Sequence, residues 1–321
     1  MKKFKIAVID TALSVENLPE NILGKVETKN YFEFDNKAMH SSMVINTIIK
    51  YTDADLIEKI YLYNVFNKEH RGSGLKVISA LEDIIQKNDT DFLIMSITLT
   101  NEDRYDYIES LCKRITASET IIIASDSNKL TKDVCYPFSF DCVYGISQGA
   151  FSKNPFFCVK DIERKHIIGD AAPEFIWCGK NNYCLFGGTS KAVPKFLASI
   201  INAFSNKRDI SCEKIEEWVK NDSLSLEDNT IFQLKDVSSV PVYSKEIYDS
   251  ICRYIREFSI DISKYGDITP LFNLVHLENN ELSMFLRYIL KKFGINTSLD
   301  NMRYSDFASL GKLCVYIGRQ M

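Results

Sequence analysis

Over roughly the first 205 residues, short apolar runs alternate with helical patterns. Runs 4–9, 60–65, 92–97 and 120–124 are rich in β-branched or aromatic residues and have strand length. Between them, 43–49, 75–85 and 105–115 place apolar residues three and four apart, the spacing of one helix face. Continuous apolar strands separated by helices predict a parallel sheet covered on both faces, hence an α/β fold. Two more helices are predicted over 190–204 and 212–219.

From Asn221 to Ser239 the chain turns polar, apart from one short strand-like piece at 230–234. The spacing then becomes purely helical, which places a domain boundary near residue 240: a sheet domain over 1–240 and a small all-α domain over 241–321. Ser244 caps a helix over 245–258, with Ile247, Ile251, Tyr254, Ile255 and Phe258 on its apolar face. A second helix over 282–293 stops at Gly294, and 307–317 forms the last. There is no internal repeat and no low-complexity tract.

Composition narrows the class. The chain has 321 residues, 26% charged and 45% hydrophobic, enough for two domains of a globular protein. With 13 glycines, 7 prolines and 12% aromatic residues it is neither collagen-like nor disordered. Lys and Arg number 39 against 43 Asp and Glu, so no strong basic field speaks for nucleic acid. No apolar run reaches the ~18 residues that span a bilayer. The first residues are basic, then apolar, but Asp10 ends the run, so they read as a first strand rather than a signal peptide. The nine cysteines include no C-x-x-C pair and read as reduced, mostly buried thiols of a cytoplasmic protein, with no zinc site.

Three segments carry chemistry. Ile6-Ala7-Val8-Ile9-Asp10-Thr11 puts a carboxylate at the C-terminal end of the first strand, where open α/β sheets form sites. His40-Ser41-Ser42-Met43-Val44 opens a helix with a histidine. Phe186-Gly187-Gly188-Thr189-Ser190 leads from a glycine pair to a serine at a helix start, where backbone N–H groups and the helix dipole lie close. Singly each is ambiguous: a strand-end Asp can simply cap a helix, and a lone His is often structural. Together, Asp, His and Ser in this order supply acyl transfer. Ser190 attacks a carbonyl, His40 takes its proton and returns it to the leaving amine, and Asp10 holds the imidazole.

These segments resemble the subtilisin-like serine proteases (subtilases) over about residues 4–205. Asp10-Thr11 resembles the family's Asp-Thr/Ser-Gly, and His40 through Val44 resembles His-Gly-Thr-x-Val. Gly188-Thr189-Ser190-Lys191-Ala192-Val193-Pro194 resembles Gly-Thr-Ser-Met-Ala-x-Pro, the most specific of the three. Asp91 through Ile97 resembles the strand that lines the substrate cleft, and Ile121 through Asn128 the strand ending Ala-Ala-Gly-Asn. The resemblance implies that Asn128 donates to the oxyanion, together with the backbone N–H of Ser190. It also implies that Ser96, Ile97, Thr98, Ser127 and Cys135 line the substrate site, with Thr98, Ser127 and Cys135 standing where the family has glycines. That narrows the pocket and implies a small residue before the scissile bond.

Other departures are Ala12 for Gly, Ser41-Ser42 for Gly-Thr, both small and tolerable, and Lys191 for Met beside the nucleophile. Lys191 is expected either to reach solvent along its stem, to lower the His40 pKa, or to bond a carboxylate of the substrate or of a neighbouring domain. No propeptide is expected before Phe4 and no calcium loop is evident; the triad needs no metal and no H-E-x-x-H pattern occurs, so neither metal nor cofactor is expected.

A weaker resemblance covers 243–321. Leu277-Glu278-Asn279, the following helix, Lys292-Phe293-Gly294-Ile295 and Asp306 through Leu313 look like an acyl or peptidyl carrier protein. The serine that would take phosphopantetheine falls at Asn279 and is missing; Ser283 is a poor substitute. The alternative is a plain helical bundle capping the protease. The expectation is an intracellular endopeptidase acting on a peptide or protein, as in removal of a leader from a ribosomally made peptide, with a biosynthetic partner docking on the last domain. The alternative from another class is an inactive subtilase scaffold that binds partners in a biosynthetic complex.

Overall fold

A computed structural model describes residues 2–32, 39–67, 71–99, 104–127, 135–151, 153–179, 183–207, 210–228, 243–257 and 279–321. By contacts the chain separates into two compact units. The first comprises Met1–Ala172, Cys178–Lys180 and Gly187–Ile231; the second comprises Pro173–Trp177, Asn181–Phe186 and Phe232–Met321.

The first unit is built on an eight-stranded sheet: β1 Phe4–Asp10, β2 Val26–Asn30, β3 Ile57–Asn64, β4 Phe92–Met95, β5 Ile121–Ser125, β6 Tyr144–Gly149, β7 Phe157–Asp161 and β8 His166–Asp170. Its order is β2-β3-β1-β4-β5-β6-β8-β7, and only β7 runs antiparallel to its neighbour. The helices are α1 Glu20–Leu23, α2 His40–Tyr51, α3 Gly74–Lys87, α4 Tyr105–Thr116, α5 Thr189–Phe204 and α6 Cys212–Asp222. The α/β class and the parallel sheet are as the hydrophobic pattern predicts.

Alternation along the strands sorts the two faces. Ala7 and Ile9, Leu93 and Met95, and Ile122 and Ala124 share one core with Val77, Leu81 and Ile84 of α3 and Ile108, Leu111 and Ile115 of α4. Ile6, Val8 and Asp10 therefore point to the other face. There α2 and α5 pack on each other, and α5 runs over β5, β6 and β8. The crossing is close at Gly169, where a Cβ would lie 2.8 Å from Ile146 Cγ2 and 3.1 Å from the Ala192 Cβ. Only glycine lets α5 settle that near the sheet.

β6 and β8 are absent from the strand pattern read above, because Gly145, Ser147, Gly149 and Gly169 interrupt their apolar runs. The expected strand-like piece at 230–234 lies outside the described residues.

In the second unit, β9 Glu174–Trp177 and β10 Tyr183–Phe186 form an antiparallel ribbon. The C-terminal region itself is helical: α7 Lys245–Glu257, α8 Asn279–Lys292, α9 Tyr304–Phe307 and α10 Leu310–Gln320. Phe175, Ile251, Ile255, Leu282, Phe285, Leu286, Ile289, Phe307, Leu313 and Ile317 share one core. The single helix expected over 307–317 is broken. Ser309 takes an extended conformation, and its hydroxyl accepts the Lys312 N–H at 3.3 Å, capping α10 as a separate helix.

Candidate active site

Asp10 is the last residue of β1 and is fully buried. Its Oδ1 lies 2.7 Å from His40 Nδ1 and accepts the Thr11 N–H at 2.6 Å. A carboxylate only accepts, so Nδ1 is the donor of this pair and Nε2 is left as the basic nitrogen. Burial disfavours a charge on His40, but the Asp10 charge and hydrogen bond outweigh it and hold the imidazole above the usual histidine value.

Small hydroxyls fix the start of α2. Thr11 Oγ1 accepts the Ser41 N–H at 3.2 Å, Ser41 Oγ donates to the Ala12 carbonyl at 2.6 Å, and Ser42 Oγ donates to the Ser14 carbonyl at 3.2 Å. Asn46 Nδ2 adds a bond to the Asn17 carbonyl at 2.7 Å. The two serines that read only as tolerable replacements thus tie the helix of His40 to the loop after Asp10.

Ser190 is half-buried in the first turn of α5. Gly188 turns the chain into the helix with φ 75°, a left-handed conformation that favours glycine, and its N–H bonds to the Ala171 carbonyl at 2.9 Å. Thr189 Oγ1 donates to the Asp126 carbonyl at 2.8 Å, just beyond β5. Pro194 lacks the N–H that would bond back to the Ser190 carbonyl. β1 and β5 are two strand spacings apart, on the order of 10 Å. The Asp10–His40 pair and the Ser190 turn therefore occupy the same sheet edge and the same face. Asn128 lies outside the described residues; Ser127 before it is half-buried, with its N–H on Asp126 Oδ1 at 2.7 Å.

Lys191 meets none of the surroundings expected for it. It is 1% exposed, and its Nζ bonds to Asp170 Oδ2 at 3.1 Å and to the Ala172 carbonyl. Lys195, one turn on and 4% exposed, reaches the same Oδ2 at 2.5 Å. Burial would raise the Asp170 carboxyl, but the two ammonium groups hold it below the usual carboxylate range. Neither Asp170 nor Lys195 stands out in the sequence. The one available signal is a pair of lysines four apart inside an otherwise apolar helix face.

Of the residues expected to line the cleft, Ser96 and Ile97 are buried, and the Ile97 side chain belongs to the core under α3 and α4. Thr98 is half-buried. Leu99 and Tyr136 exchange backbone bonds of 2.8 and 3.2 Å, so the chain after β4 is paired with the segment before Pro137. Tyr136 stacks on Tyr105 with ring centroids 3.9 Å apart, and Phe140 tilts against it at 5.1 Å. Cys135 is buried, and burial pushes its thiol up, so it offers no competing thiolate nucleophile. All nine cysteines are free thiols. Among the described residues no cluster of three His, Cys, Asp or Glu is placed to hold a metal ion, and no helix is long and apolar enough to cross a membrane.

No protein-family model matches the chain, and no curated protein matches its sequence. Among solved structures, the fold is similar to a lanthipeptide protease (TM-score 0.50, 14% identity, covering 67% of this chain and 78% of that one). It is also similar to the prenylagaramide maturation protease PagA (TM-score 0.51, 14% identity, 68% and 82%). A third similar structure is the nisin leader peptidase NisP from Lactococcus lactis (TM-score 0.52, 14% identity, 71% and 85%). At that identity the likeness is one of fold: an α/β architecture shared with these three proteins.

Proposed function

We propose that the chain is a serine endopeptidase of the subtilisin type, hydrolysing a peptide bond through an acyl-enzyme on Ser190. The observation that carries this is the 2.7 Å pair between buried Asp10 and His40 Nδ1, at the sheet edge where α5 brings Ser190. His40 Nε2 takes the Ser190 proton as the hydroxyl attacks, and the imidazolium is stabilised by Asp10. The oxyanion is met by the N–H groups opening α5 and by the Asn128 side chain.

The substrate is a peptide or protein, and the task is a dedicated cleavage such as leader removal, in line with the maturation protease PagA and the leader peptidase NisP. The cleft carries Thr98, Ser127 and Cys135, and we infer a small residue before the scissile bond. The protein works in the cytoplasm without metal or cofactor. The helical region is read as carrier-like but without the prosthetic group, serving as the docking surface for a biosynthetic partner. Ser283 supports the lack of modification, being 2% exposed. A fluorophosphonate probe tests the reading: it should attach to Ser190 in the wild type and not in Ser190→Ala. Absence of labelling would favour the inactive, partner-binding scaffold.

A further inference from the structure

The buried charges behind Ser190 have no place in the reaction as described. Two ammonium groups one turn apart repel, and burying each costs several kcal/mol after relaxation. Asp170 Oδ2 accepts from both ammonium groups. Aromatic faces also receive the Lys195 ammonium: its Nζ lies 4.2 Å from the Tyr51 ring centroid and 3.9 Å from that of Phe156. Asp170 is itself oriented, its Oδ1 accepting the N–H groups of Phe151 at 3.2 Å and Ala172 at 3.3 Å.

The cluster ties together the elements that carry the chemistry. Lys191 directly follows Ser190, Asp170 ends β8, and Tyr51 is the last residue of the helix that His40 opens. Well-packed apolar side chains in place of a buried ion pair are often neutral or stabilising. A net contribution to stability is therefore a weak reason for keeping three charges here.

We propose that Asp170, Lys191 and Lys195 are positioning residues: their buried ion cluster fixes the first turn of α5 so that the Ser190 hydroxyl stands in line with His40. This rests on Ser190 being the nucleophile. A displacement of about 1 Å at such a group costs on the order of 10²-fold in rate, whereas binding of the reagent elsewhere in the cleft is untouched. The cluster therefore acts on the chemical step and leaves binding and the base alone.

The test uses the full-length protein and the fluorophosphonate probe, with saturation kinetics separating the maximal inactivation rate from the half-saturating concentration. The apolar variant Asp170→Val/Lys191→Met/Lys195→Leu should melt no lower than wild type, yet be labelled at least tenfold more slowly at saturation. Its half-saturating concentration and the midpoint of its acid limb should be unchanged. If the triple variant does not fold, Lys191→Met alone carries the test, since Asp170 keeps Lys195; it should show the same loss per folded molecule. Labelling of either folded variant at the wild-type rate overturns the positioning role. A wild type that is not labelled at Ser190 overturns instead the reading of Ser190 as nucleophile.

Discussion

At the Asp10 end of the site the holding is done by small neutral groups: the hydroxyls of Thr11, Ser41 and Ser42 bond to backbone across the start of α2. At the Ser190 end it is done by charge, with two lysines on one carboxylate beneath α5. The difference follows from what each end must tolerate. On the proposed mechanism His40 changes protonation, so a fixed cation packed around it would oppose the imidazolium; hydroxyls and carbonyls fix position without that penalty. On the same mechanism Ser190 gains an anionic neighbour, and the ammonium groups of Lys191 and Lys195 behind it fit that step.

The comparison can be broken at either end. Ser190→Ala should abolish hydrolysis, a loss on the order of 10⁶-fold in kcat, with the circular-dichroism melt unchanged because only a hydroxyl is removed. Retained turnover of a cleaved peptide would remove the nucleophile from the scheme. Asp10→Asn should follow, costing about 10⁴-fold. It should also move the pH profile. His40 must be neutral to act as base, so in the wild type activity rises with pH through a midpoint above the ordinary 6.5, as the raised imidazole value requires. Without the Asp10 charge, burial dominates and that midpoint should fall. A profile unmoved by Asp10→Asn would mean that the limb belongs to another group. Asn128→Ala should cost a further-down ~10²–10³-fold in kcat, measured on the same peptide.

Ser41→Ala tests the neutral end through stability. It leaves the buried Ala12 carbonyl without its 2.6 Å donor, worth about 1–3 kcal/mol, and denaturant titration should show that loss. The smallest effect at neutral pH separates the charged end. The Asp170 carboxyl is held below its usual value, so the stability it contributes is present above about pH 4 and is lost as pH falls through the lowered value. Comparing melts at neutral and strongly acid pH should show the wild type losing more than the Asp170→Val/Lys191→Met/Lys195→Leu variant.

How far the sequence reveals the molecule depends on how local the cause is. β1, β3, β4 and β5 are legible because their apolar runs are unbroken, as are α2 through α6, where spacing alone decides. β6 and β8 escape because close neighbours force glycine into them, Phe138 at Gly145 and α5 at Gly169, and glycine reads as a loop. Asp10, His40 and Ser190 stand in motifs, and the structure brings Asp10 and His40 into contact. The ion cluster is hidden because Asp170 and Lys191 are 21 positions apart and meet only through the fold. Nothing in the neighbourhood of Lys191 in sequence says whether it faces water or a buried carboxylate.

The ribbon of β9 and β10 has a consequence for how this chain can be divided. The chain leaves the sheet unit after Ala172, rejoins it over Cys178–Lys180, leaves again for Asn181–Phe186 and is handed back at Gly187, three residues before Ser190. Within its own unit, Phe175 is fully buried, its ring centroid 5.0 Å from that of Phe307. A chain cut near residue 240 keeps the ribbon but removes that partner, baring an aromatic side chain on the segment that leads to Ser190. The C-terminal region is thus no detachable cassette. Shuffling or trimming it as a module should yield a sticky, mis-threaded protein rather than a smaller one, and grafting it elsewhere would require the two ribbon strands, Glu174–Trp177 and Tyr183–Phe186, to travel with it.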